Sequence, residues 1–99
     1  MRKTDKKIDN QLCRLLTEVC DYAKESCQGF EFISHQVNYH AFPDSLIIEC
    51  YFINQQSIDA LNSDGQMARL QAKILQTLSD HGYRLPRAEK QIRHLIGLY

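Results

Sequence analysis

The chain has no tryptophan, only two prolines and four glycines, and no formal net charge. Each shortage narrows what it can be. The glycines, at 29, 65, 82 and 97, stand singly, so no glycine-rich loop is available to cradle a phosphate. No run of ~18 apolar residues occurs, which excludes a helical membrane span. The charged start, Met1 to Lys7, leads into an amphipathic stretch and not into the apolar core of a signal peptide. A soluble, cytoplasmic protein is therefore expected. There is no repeat, low-complexity run or Gly/Ser-rich linker either, so 1–99 reads as a single domain, with 1–6 as a flexible basic tail.

What is present suits one modest core, since 43% of the 99 residues are hydrophobic. Charge is unevenly spread. Residues 1–7 and 84–94 each carry a net +3, so the chain between them and beyond carries −6. Four cysteines are present. Cys13, Cys20 and Cys27 recur every seventh residue within one predicted helix, which spaces neighbours by ~10 Å at ~1.5 Å per residue. That is too far for a disulfide or a shared metal ion, so reduced thiols serving as small apolar residues are expected.

Periodicity predicts a helix over 7–27, with Ile8, Leu12, Leu15, Leu16, Val19 and Ala23 on one face and Thr4 or Asp5 as its cap. Two strands follow, 30–40 and 45–54, joined by the turn-forming Phe42-Pro43-Asp44-Ser45. Leu46, Ile48, Cys50 and Phe52 make one apolar strand face, which Ile33, His35, Val37 and Tyr39 should share. The opposite face then shows Phe32, Gln36, Asn38, Ile47, Glu49, Tyr51 and Ile53, a set too apolar to be simply solvated. After a helical turn at 57–61, a second helix is predicted over 64–81, capped by Ser63 or Asp64. It buries Met67, Leu70, Ile74, Leu75 and Leu78. Residues 86–99 read equally as a helix begun by Pro86 or as a closing strand.

Three stretches carry a resemblance: Met1-Arg-Lys-Thr-Asp-Lys-Lys-Ile-Asp9, Leu16-Thr-Glu-Val-Cys20, and Val37-Asn-Tyr-His-Ala-Phe-Pro-Asp-Ser-Leu46. They resemble a family of small, largely uncharacterised bacterial proteins, over most of the chain up to Asp64-Gly65. The likeness implies a strand for 92–98. Some members of that family bear the label of Fis-like transcription regulators, which would imply an all-helical chain ending in a helix-turn-helix. The central hairpin departs from that plan. The family implies no catalytic residues.

No catalytic constellation can be built from the residues. Pro43-Asp44 with Glu49 suggests a Mg²⁺-dependent nuclease, but Cys50-Tyr51 follows Glu49 where that chemistry needs a lysine. His35, His40 and Cys50 do not make a metal site, because His40 differs from His35 in strand parity and should point the other way. Cys50 beside His35 is the only thiol–base pair available, and an apolar strand face raises a thiol's pKa. No cofactor is implied.

The expected architecture is α+β, ordered α-β-β-α-β, with two helices on one face of a small antiparallel sheet. The expected function is non-enzymatic: a small accessory or regulatory binding protein acting through protein contacts as a homodimer. The sheet face that carries Phe32, Gln36, Asn38, Ile47, Glu49, Tyr51 and Ile53 would be its partner surface. The competing reading is a nucleic-acid-binding regulator that uses Lys3, Lys6, Lys7, Arg84, Arg87, Lys90 and Arg93. Its second form is a helix-turn-helix in which Leu70–Leu78 is followed by a helix over 86–96. A sequence pI near 6.9 weighs against it.

Overall fold

The computed structural model describes residues 3–42 and 44–97, apart from the side chains of Lys3, Thr4 and Tyr39. Arg2 of the basic start, Pro43 of the predicted turn and Leu98 of the predicted last strand thus lie outside the described residues.

The fold is α+β. Helix α1 (Lys3–Ser26) is followed by strands β1 (Phe30–Gln36) and β2 (Ile47–Phe52). Helices α2 (Gln55–Ser63) and α3 (Gln66–Ser79) come next, then a single turn α4 (Ala88–Gln91) and strand β3 (Ile92–Ile96). The sheet is ordered β1-β2-β3. β1 and β2 are antiparallel, but β3 runs parallel to β2, so the sheet is mixed where an antiparallel one was expected. The reason is the connection. A parallel neighbour requires a crossover, and α2 and α3 supply it.

Several boundaries differ from the pattern. α1 begins at Lys3, so Lys3 and Lys6 belong to a helix and not to a tail, and Thr4 and Asp5 lie in its first turn. The helical turn foreseen at 57–61 is a complete helix, capped by Asn54, whose Oδ1 accepts from Ser57 N at 2.9 Å. α2 and α3 are separated by Gly65 at φ +83, a left-handed geometry that turns one apolar periodicity into two helices. Asp64 Oδ1 accepts from Gln66 N at 2.9 Å across that break. The strands are shorter than predicted. Their connection, 37–46, contains a 3-10 turn at Tyr39–Ala41, where Asn38 Oδ1 accepts from His40 N.

The hairpin parity matches the expectation: Ile33 pairs with Cys50, His35 with Ile48 and Phe32 with Tyr51. A bulge between Phe30 and Phe32 alters the phase at the strand start. Phe30 therefore turns inward, edge-on to Phe52 at 5.6 Å between ring centroids, while Phe32 stays outward. The core is continuous between the helices and one sheet face. Leu12, Leu15, Leu16, Val19 and Ala23 of α1 meet Ile58 and Leu61 of α2 and Met67, Leu70, Ile74 and Leu78 of α3, over Ile48, Cys50, Phe52 and Ile92. Leu46 joins them from the loop just before β2. Three helices, not two, thus share this side. The last strand is fastened by Gln91, which is 4% exposed. Its Nε2 donates to Leu46 O at 2.9 Å and its Oε1 accepts from Arg87 N at 2.8 Å.

Candidate functional site

The sheet face away from the helices is built by alternation. Phe32 and Gln36 come from β1, Ile47, Glu49 and Tyr51 from β2, and Arg93 and Leu95 from β3. Phe32 and Tyr51, paired across β1 and β2, stack face to face with centroids 4.4 Å apart and planes 12° apart. Phe32 remains 40% exposed. Leu95 stands beside Tyr51 in register, and Glu49 beside Arg93. Glu49 is buried to 9% exposure, and its Oε1 accepts from Gln36 Nε2 at 3.2 Å. The face thus has an aromatic and aliphatic half and a polar half whose charges have opposite sign.

Five of the seven residues predicted for this face, Phe32, Gln36, Ile47, Glu49 and Tyr51, are brought together. Asn38 is not among them, because β1 ends at Gln36 and Asn38 caps the 3-10 turn. Ile53 lies one residue past β2 and is 50% exposed, where Gly29 O accepts from its N–H at 2.9 Å. Sequence reading missed Arg93 and Leu95 as part of this face, since their place depends on β3 pairing with the far side of β2.

The basic residues are placed differently from a helix-turn-helix. After α3 there is a loop, the single turn of α4 and then β3, so no recognition helix exists over 86–96. Lys6, Lys7, Arg84, Arg87, Lys90 and Arg93 are all exposed. Lys3 lies in the first turn of α1, and its side chain is outside the described set. The Tyr83 hydroxyl donates to Gln11 Oε1 of α1, and its ring packs edge-on to Phe42. This link sets the beginning of the 84–90 stretch against the first half of α1, where Lys7, Asn10 and Arg14 flank Gln11.

Cys50 and His35 share the helix-facing side, as parity requires, but they do not form a catalytic pair. Cys50 is fully buried, and burial first, then the neighbouring Cys27 and Cys20, push its thiol up to about 12. Across from it on β3 stands His94, whose buried Nε2 has no hydrogen-bond partner among the described residues and whose pKa is lowered by burial. His40 is exposed on the 3-10 turn. His35 instead turns to α1, with Nε2 3.4 Å from Asp9 Oδ1. The cysteines are all free, and along α1 they pass from exposed Cys13 through half-buried Cys20 to buried Cys27.

Fold and faces together define a small α+β protein with one open side to its sheet. No helix among the described residues is long and apolar enough to cross a membrane. No family model matches the chain, and neither a curated protein nor a solved structure matches it.

Proposed function

We propose that this is a non-enzymatic binding protein that works through protein contacts on the open face of its sheet, with a second copy of the chain as occupant. The carrying observation is the exposed Phe32–Tyr51 stack on a face that no helix of the described chain covers. An aromatic slab of this kind loses water favourably against another apolar surface. The polar half supports a copy of the same face as partner. Glu49, 9% exposed and bonded to Gln36, lies beside the exposed Arg93 in register, so this strip carries little net charge to repel a two-fold copy of itself. Cys50, the thiol in the sheet itself, is held protonated by burial, which supports a binding role over chemistry at that thiol.

One specific observation favours a second reading, nucleic-acid binding. The Tyr83–Gln11 hydrogen bond brings the start of the basic 84–94 segment against the part of α1 that carries Lys7 and Arg14. Phosphate contacts of that kind weaken steeply with salt. The two readings separate in one experiment: light-scattering mass during size exclusion, at low and high salt, with and without a short duplex. A dimer that persists in high salt and ignores the duplex supports the sheet face. In that case Phe32→Glu yields a monomer with an unchanged far-UV spectrum. A monomer that shifts with duplex only at low salt overturns the dimer reading and supports the basic side.

A further inference from the structure

Asp9 and Cys13 stand one turn apart on α1, so their side chains leave the same face of the helix. His35 arrives from β1, in register with Ile48 and hence on the sheet side that α1 covers. A carboxylate oxygen of Asp9, Sγ of Cys13 and a ring nitrogen of His35 all lie within 4.8 Å of one another. Asp9 Oδ1 and His35 Nε2 are 3.4 Å apart. In tetrahedral zinc coordination, bonds of ~2.0–2.3 Å separate neighbouring ligand atoms by ~3.3–3.8 Å. The oxygen and nitrogen already have that spacing. The sulfur needs to close by at most ~1.5 Å, a change within reach of a rotation about the Cα–Cβ bond of an exposed cysteine.

We propose that Asp9, Cys13 and His35 form a three-ligand site for a borderline divalent cation of the zinc type. The donor chemistry selects the class. Magnesium and calcium take oxygen ligands almost exclusively, whereas a thiolate, an imidazole and a carboxylate together suit zinc and its neighbours. Charge also balances: one carboxylate and one thiolate neutralise a dication, and the imidazole binds uncharged. Binding releases the Cys13 thiol proton to solvent. With three protein donors, a fourth position stays open, as in zinc sites that bind water or a small ligand atom. It would look onto the groove lined by Cys20, Lys24, Phe32 and Ile33, in which Cys13 and His35 also take part. Phe32 borders both this groove and the open face, but none of the three ligands belongs to that face, so metal binding and dimerisation are read separately.

The simpler alternative is that His35 and Asp9 form only a structural ion pair, in which Cys13 has no part. Titration of the reduced protein with Co²⁺ distinguishes the two, because a cobalt–thiolate bond gives a near-ultraviolet charge-transfer band and tetrahedral cobalt gives intense visible bands. The expected result is saturation at one Co²⁺ per chain, displacement by Zn²⁺, and loss of the charge-transfer band in Cys13→Ser. Asp9→Asn and His35→Gln should weaken Zn²⁺ binding by ~100-fold or more, beyond what loss of a mere supporting contact costs. Cys13 is exposed, so Cys13→Ser should keep the thermal midpoint of the metal-free protein and separate ligand loss from misfolding. No band in the wild type, a band that survives Cys13→Ser, or one abolished only by Cys20→Ser would overturn the proposal.

Discussion

His94 places an imidazole between a buried thiol in register and an aromatic ring, edge-on to Phe52 at 6.0 Å between centroids. Its Nε2 is enclosed without a partner among the described residues, so protonation has nothing there to stabilise it. Burial therefore lowers its pKa from the usual histidine range. The consequence for stability has a definite sign. Above the unfolded value of ~6.5 both states hold the ring neutral; as pH falls below that, the unfolded chain takes up the proton first and stability is lost. The loss levels off once pH passes below the lowered folded value. Denaturant unfolding from about pH 7.5 to about 5.5 should show a steeper decline for wild type than for His94→Phe. Equal slopes would show that His94 contributes nothing to the acid sensitivity. At this scale the sequence was only partly readable. That His35 faces inward follows from strand parity, but its partner Asp9 is 26 residues away on another element, and local pattern carries no such pairing. Cys13, at the margin of the apolar face, read as filler for the same reason.

Elements were legible where burial and spacing agree, as in α1, β2 and α3. They were not where a single residue changes phase. The extra residue, Glu31, lets Phe30 and Phe32 occupy opposite faces although they are two positions apart, and simple alternation puts them together. The start of β1 is tied to another feature, the close approach of α2 at Gly29. Gly29 has φ +90, and a Cβ there would sit 2.3 Å from Ser57 Oγ and 2.7 Å from Ser57 Cβ. Both the backbone conformation and the space thus demand glycine. Gly29→Ala is expected to destabilise the fold by more than ~1 kcal/mol, read as a fall in the denaturation midpoint at unchanged m-value. Trimming the main obstruction with Ser57→Gly should recover part of the loss, measured against Ser57→Gly alone, leaving the left-handed backbone and the 3.3 Å approach to Ile53 Cγ1. A wild-type midpoint for Gly29→Ala would mean that α2 does not press on this turn.

For the molecule as a whole, composition and hairpin were enough to indicate one α+β unit with helices against one sheet face. The direction of β3 was not indicated, because a five-residue strand has the same pattern whichever way it runs. Its placement beside β2 adds Arg93 and Leu95 to the open face and makes that face a three-strand surface. If two copies close over it, stability is linked to concentration, since association draws the equilibrium toward the folded dimer. The thermal midpoint should then rise with protein concentration in wild type and stay level in Phe32→Glu; a concentration-independent wild-type midpoint would point to a monomer.

The parallel pairing of β3 also orders events in time. β2 leaves the ribosome with α1 and β1 already made, yet its second hydrogen-bonding edge waits until α2, α3 and the Gln91 clasp have been synthesised. Throughout that interval the central strand of the finished sheet is an edge strand, with Ile48, Cys50 and Phe52 along it. Such an edge invites pairing with the wrong chain. The nascent protein is thus most prone to misassociation just before its last strand arrives, and the long crossover that a parallel strand requires sets the length of that window.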